Sequence, residues 1–547
     1  MDEDWVEHVL STLSLDRKVG QLLAPRAASH YAADDSAAFQ RLTRLTREVG
    51  VGGFVLFQGE VFGQALLVRA LQELAEVPLL FGQDAEWGIG MRLDDATSFP
   101  SMAAIAATRD KQHAYELARV TALEARVLGV HHIYAPVVDV NNNPDNPIIN
   151  VRSFGEDVDL VSLMATAVIR GLQAGGVLAT AKHFPGHGDT SIDSHADLPA
   201  LPFDADRLES LEWRPFRAAI DAGVASIMVG HLAMTAIDGP DAGPASLSKG
   251  VVTGLLRERM GFDGLVVSDA LDMQGVQKLF DAGEAAVRCV EAGVDVLLSS
   301  PDDDAAFTAV RAAVDTGRIS VDQIDASVRR ILRAKASLQL VARAMPDPRE
   351  VRSVVAVAEH QAGADAAAES AVTVLRAGRM LPLERKARLL LLTLNDTDRP
   401  SDRTKEFAHL LGEHHRGTFR HMEVGRHIFA EQEDLVLEGA ADAEVVVVAS
   451  VVAVRSFSGE IGMPADHGRI LRQLAGKHRV VFVSFGSPYI VRQVPPDVDT
   501  ILLGYGHAEC MQRACAGVLT GRITATGRLP FTVSDEYPFG FGVSATS

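Results

Sequence analysis

The sequence predicts an α/β protein, with a (β/α)8 barrel of the TIM type followed by a smaller α/β domain. Three observations lead there. Seven short apolar runs recur between residues 52 and 300, each leading into a polar loop and most into an amphipathic segment. The runs are continuously apolar rather than alternating, which marks parallel strands covered on both faces. Polar residues also stand after nearly every run. That suits the catalytic face of a closed barrel better than a doubly wound sheet, where ligands gather only around a switch point.

Taken in order, residues 3 to 23 read as a helix with apolar residues at helical spacing (Trp5, Val9, Leu10, Leu13), then a break and SLDRKVGQLL. The runs are GGFVLF (52–57), VPLLF (77–81), HIYAPVVDV (132–140), GVLATA (176–181), ASIMVG (225–230), GLVVSD (264–269) and DVLLSS (295–300). Between them lie amphipathic segments such as 112–128 and 205–221. Seven units over about three hundred residues suit an eight-stranded barrel with one strand too weak to show. The runs lead into Gln83 and Asp84, Asp139 with Asn141–Asn143, Lys182 and His183, His231, and Asp269. Any one of these acids is more economically read as a helix cap or loop hydrogen bond; the set is not.

Helical pattern over 301–340 completes the barrel, placed at 1–343. The linker AMPDPRE (344–350) and an Ala-rich helix (352–372) form a connection over 344–372, and a second α/β domain fills 373–547. Its strands read as LLLLTL (389–394), EVVVVAS (444–450), VVFVSF (480–485) and TILLGY (500–505). The closing ATGRLPFTV reads as a loop into an edge strand.

A formal charge of −20 argues against nucleic acid or an anionic membrane as partner. It fits an enzyme acting on a small molecule, as a monomer or a homodimer. Three cysteines, Cys289, Cys510 and Cys515, make neither a disulfide framework nor a CxxC metal pair and read as buried thiols. The acidic start, MDEDWVEHVL, has no signal-like apolar region, and no apolar run is long enough to span a bilayer. The expected location is cytoplasmic, or secreted or periplasmic if a leader has been removed.

The richest stretch is KHFPGHGDTSIDSH, residues 182–195, directly after the run 176–181. It resembles, position for position, the signature of bacterial β-N-acetylglucosaminidases in glycoside hydrolase family three. SLDRKVGQL, DAEWGIGMRL (84–93), APVVDVN (135–141), RSFGED (152–157), PASLS (244–248) and GFDGLVVSDALDM (261–273) agree in the same order. LPL (381–383), FGSPY (485–489) and GRLPF (527–531) are similar to the family's C-terminal α/β sandwich.

The resemblance implies a retaining mechanism with no cofactor and no metal. Asp269 matches the nucleophile. The usual scheme takes its proton from a second carboxylic acid; this branch resembles an exception in which a histidine serves, and His195 occupies that position with Asp193 as its carboxylate partner. Imidazole titrates near neutral pH, as a general acid and base should. Asp84, Arg92, Arg152, Lys182 and His183 match positions that hold the hydroxyls and acetamido group of N-acetylglucosamine. For His231, a sugar contact and a hydrogen-bonded core histidine stand about even. One departure is plain: where D-Q-E-G-G-R-V-Q-R-L is common this chain has DAEWGIGMRL, with Trp87 at a glycine position and the first arginine absent. Trp87 reads either as packing, slightly favoured, or as a stacking platform.

The implied activity is exo-cleavage of terminal N-acetylglucosamine from glycosides, with cell-wall fragments as substrate. Phosphorolysis by the same residues is the near alternative, since a neutral histidine does not repel phosphate as a carboxylate would. A metal-dependent barrel hydrolase is the distant one. His183, His187, His195, Asp189 and Asp193 crowd one loop, but the first apolar run leads into Gln58 and Gly59 with no paired histidine. A sugar-binding protein on an inactive barrel is a third class, disfavoured by the presence of Asp269, His195 and Asp193 together. His187 and Asp189 read as loop architecture.

Overall fold

The computed structural model describes residues 2–194, 196–342, 345–398, 403–453 and 462–544. The chain divides into two compact units, one of 1–97, 114–140 and 161–357, the other of 98–113, 141–160 and 358–547.

The first unit is the barrel. The strand that the apolar pattern missed is its first, Leu23–Ala24 continuing past Pro25 as Arg26–Ser29. It is hard to see because proline interrupts it and its outer half alternates exposed and buried residues. The others follow in order: Gly53–Gly59, Leu80–Gln83, His132–Ile133, Leu178–Phe184, Ser226–Val229, Leu265–Ser268 and Leu297–Leu298. Parallel pairing runs unbroken from the first strand to the seventh. A bridge between Val267 and Val296 joins the seventh to the eighth. Leu23↔Leu297 and Ala24↔Leu298 then return the eighth to the first. The sheet is a closed eight-stranded barrel.

One buried cluster takes at least one side chain from each strand or its immediate extension: Ala24, Val55, Leu80, Tyr134, Leu178, Met228, Leu265 with Val267, and Val296 with Leu298. Large and small residues must alternate for such a layer to fill. Gly82 shows the constraint, because a Cβ there would lie 2.1 Å from the Tyr134 hydroxyl oxygen. The expected helix over 112–128 is Lys111–Val127. The segment 205–221 instead forms two helices, Ala205–Ser210 and Arg214–Asp221. Pro215 explains the break, since it cannot donate back into a preceding turn and suits the start of a new helix.

The second unit holds a six-stranded sheet in the order 373–376, 500–503, 479–484, 445–451, 389–395, 419–424. All pairs are parallel except the first. The four apolar runs form its centre. Two edge strands, Thr373–Arg376 and Phe419–Val424, carry no such run; the second is mostly exposed or half-buried. ATGRLPFTV does not form the expected edge strand. It remains a loop closed by Leu529 N–H to the Phe541 carbonyl (2.8 Å), and the antiparallel edge is Thr373–Arg376. The Ala-rich stretch after 350 is two helices, Pro348–Val354 and Ala358–Ala371. All three cysteines are buried and unpaired. Among the described residues no helix is long and apolar enough to cross a membrane.

The last barrel helix, Val321–Ser337, carries a fully buried lysine, Lys335, whose Nζ donates to Gln21 Oε1 at 2.7 Å. Burial pushes this amine down to about 7. An unfolded lysine keeps its proton to about pH 10. Between those values the unfolded chain binds the extra proton, so stability rises with pH across that window, and the full cost falls below it. Lys335→Met is therefore expected to raise the melting temperature at neutral pH by a few degrees and to flatten its rise toward alkaline pH. An unchanged slope in calorimetry would place the titrating group elsewhere.

Candidate active site

The fifth barrel strand is buried along its whole length, Lys182 and His183 included. A buried ammonium needs partners. Lys182 Nζ has Asp84 Oδ1 at 2.8 Å and Glu86 Oε1 at 2.9 Å, both just past the third strand. Arg92 Nη2 donates to the other oxygen of Asp84, also at 2.8 Å. Burial alone works against ionising Asp84, but Lys182 and then Arg92 outweigh it and hold the carboxyl well below the usual range. Asp84 is therefore a carboxylate clamped between two cations. Glu86 was missed by sequence reasoning; its only sign was an acid within an otherwise apolar stretch two positions after Asp84.

Asp139 was noted only as a strand-end acid. In the structure its carboxylate receives His183 Nδ1 at 2.7 Å and the backbone N–H of His187 at 2.6 Å. Burial opposes its charge, yet His183 and His187 keep its carboxyl below the ordinary value.

The loop beyond Phe184 is held tightly at its root. Gly188 runs so close to the preceding strand extension that a Cβ would stand 1.8 Å from the Val140 carbonyl oxygen. His187 is loop architecture, as its turn-rich surroundings suggest: its Nδ1 lies 2.8 Å from Thr190 Oγ1 and its Nε2 2.9 Å from Ser194 Oγ. Burial, reinforced by His183, pushes His187 down to about 4, so its ring is neutral near neutral pH. Asp189 pairs with Arg207 at 3.2 Å, and Arg207 also holds the buried Glu212. Asp193 is buried at 3% exposure, and its carbonyl accepts from Ala196 and Asp197 N–H. His195 lies outside the described residues.

Asp269 follows the seventh strand directly. Its backbone N–H donates to the Val229 carbonyl at 2.9 Å, and its Oδ1 accepts from Ala270 N–H at 2.8 Å. His231 is fully buried beside the same turn. Its Nε2 donates to the Ala270 carbonyl (3.0 Å), which leaves Nδ1 to accept from Ser246 Oγ at 2.7 Å. Both ring nitrogens are thus engaged with protein. Arg152 belongs to the second unit, on the short turn Asn150–Arg152, with Nη1 donating to the Ile148 carbonyl at 3.1 Å.

Among the described residues no three His, Cys, Asp or Glu side chains are arranged to hold a metal ion. One premise of the metal reading changes. The strand before Gln58 is the second, while the true first strand runs into His30, a single exposed histidine 2.9 Å from Glu60 Oε1.

Because Asp84 and Glu86 share one buried cation, Lys182→Met is expected to destabilise the barrel by about 3–5 kcal/mol, the usual effect of removing one partner from a buried ion pair. Urea denaturation read by tryptophan fluorescence measures this. A cost below about 1 kcal/mol would mean that the two carboxylates are solvated without the lysine.

The family model described as "Glycosyl hydrolase family 3 N terminal domain" matches residues 14–334. A β-N-acetylglucosaminidase/β-glucosidase of Cellulomonas fimi is 31% identical over 97% of this chain and 96% of its own length. A β-hexosaminidase A of Pseudoalteromonas piscicida is 29% identical over 90% and 91%. Among solved structures, a family 3 β-N-acetylglucosaminidase from Paenibacillus sp. str. FPU-7 superposes with a TM-score of 0.86 at 34% identity, covering 95% of this chain and 99% of that one. A β-glucoside phosphorylase, BglX, superposes with a TM-score of 0.87 at 26% identity, covering 97% and 96%. The barrel model thus matches well over half of the chain and a relative at 31% identity matches nearly all of it, so this chain belongs to glycosyl hydrolase family 3.

Proposed function

We propose that this glycoside hydrolase is a retaining exo-β-N-acetylglucosaminidase acting on terminal N-acetylglucosamine, with cell-wall fragments as its natural substrates. The observation that carries the reading is the Asp84–Lys182–Arg92 cluster at the barrel's strand ends, in a chain whose full-length relatives are named for this activity. A carboxylate fixed between cations accepts from vicinal hydroxyls, and the cations donate to the sugar's oxygens.

In this reading the Asp269 carboxylate attacks the anomeric carbon as the bond to the leaving oxygen breaks, and His195, protonated, gives that oxygen its proton. The glycosyl-enzyme is then opened by water, which loses its proton to the now neutral His195. Asp193 orients the imidazole and favours its charged form. His231 contributes by fixing the Ala270 carbonyl, and with it the turn that carries Asp269, rather than by touching sugar.

A second reading is phosphorolysis, in which phosphate opens the glycosyl-enzyme and leaves as the sugar 1-phosphate. The likeness to a structure named a β-glucoside phosphorylase supports keeping it in view, and neutral His195 would tolerate the incoming anion.

Hydrolysis of p-nitrophenyl N-acetyl-β-glucosaminide tests the main reading. Wild type should turn it over, Asp269→Ala should lose about 10⁴-fold or more in kcat, and His195→Ala about 10²–10⁴-fold. Turnover of the plain glucoside alone, or indifference to His195, would sink the assignment. Product analysis with and without phosphate separates the two acceptors, since only phosphorolysis yields a sugar 1-phosphate.

A further inference from the structure

Asp139 lies past the two-residue fourth strand, on a segment that stays paired with the end of the fifth. Val138 N–H donates to the Lys182 carbonyl at 2.7 Å, and Lys182 N–H to the Pro136 carbonyl at 3.2 Å. This extension carries a carboxylate with 1% exposure alongside the start of the reactive loop. N–H groups of two residues are turned toward it: His183 N–H at 3.2 and 3.3 Å, His187 N–H at 2.6 Å and His183 Nδ1 at 2.7 Å. A carboxylate only accepts. His183 Nδ1 must therefore carry the hydrogen.

We propose that Asp139 is a positioning residue that sets the tautomer of His183, so that Nε2 of the neutral ring is the acceptor nitrogen offered to a sugar hydroxyl. The sugar contact rests on the function proposed above; the tautomer does not. The two backbone bonds give Asp139 a second task, holding the residues on either side of the Pro185–Gly186 turn at fixed spacing. Asparagine separates the tasks. Its amide oxygen can still accept from the His187 N–H, but its amide nitrogen would face Nδ1 and drive the hydrogen to Nε2. A donor would then meet the hydroxyl's own hydrogen. An Asp→Asn exchange beside a functional histidine inverts the ring in this way elsewhere.

The test uses the full chain labelled with ¹⁵N-histidine, with spectra recorded at several pH values up to mildly alkaline. The His183 signal is assigned by its loss in His183→Gln. Wild type should show hydrogen on Nδ1, and Asp139→Asn should show it on Nε2. In parallel, KM for the N-acetylglucosaminide should rise on the order of 10–100-fold in Asp139→Asn, the usual effect of losing the partner that orients a functional histidine. In a His183→Ala background the same change should add no further rise, because its effect passes through the ring. Hydrogen on Nε2 in wild type overturns the proposal even if Asp139→Asn does not fold, and so do additive KM effects. A wild type inactive on N-acetylglucosaminides would instead remove the function proposed above, leaving the tautomer to be decided by the spectrum.

Discussion

Pairing of the first barrel strand on both its sides is the constraint on which the rest of the first unit depends. Leu23 and Ala24 pair with the eighth strand while Arg26 and Ala27 pair with the second, so the sheet has no free edge. The same strand delivers Arg26 to the end of the barrel where strands finish. There it meets Asp272, past the seventh strand, at 2.6 Å, and lies 4.2 Å from the Phe57 ring centroid. Arg92 approaches the same ring at 5.1 Å and continues through Asp84 to Lys182. These contacts, through charged groups and the Phe57 ring, run across the barrel mouth from the seventh strand to the fifth.

Two buried charge groups share the labour at that mouth and differ in kind. Around Lys182 a cation gathers carboxylates; around Asp139 a carboxylate gathers N–H donors. Each satisfies its own ions, as low-dielectric surroundings require. His187 adds a third device without charge, a neutral ring bridging two hydroxyls. Together they hold the root of the 185–199 loop to the strands, while toward its tip Gly275 N–H reaches the Ser194 carbonyl at 3.3 Å.

The barrel was legible in the sequence wherever a strand is buried on both faces, since only then does it become an apolar run. The first strand and the outer strand Phe419–Val424 escaped for the same reason: half of each faces polar surroundings, so composition does not mark them. The loop 182–195 was legible from its density of imidazoles, carboxylates and turn residues. What could not be read was which acid serves which base. Asp139 stands more than forty residues from His183, and only the parallel pairing beside Lys182 brings them together. Likewise nothing local shows that Glu86 shares Lys182 with Asp84, or that Arg152 falls in the second unit.

That placement of Arg152 reflects a broader feature, the alternation along the chain of segments that belong to the two units. Residues 98–113 and 141–160 are made early, but the sheet they belong with ends at Leu503. At ribosomal rates of about 5–20 residues per second, the later stretch waits tens of seconds for its partners. The barrel's strands can pair during that interval only with both stretches held out as loops. No single cut frees either unit intact: a fragment ending at Val357 would carry two stranded pieces of the other. Synthesis order and spatial order are at odds in this chain, because the segments of the second unit are separated by segments of the first.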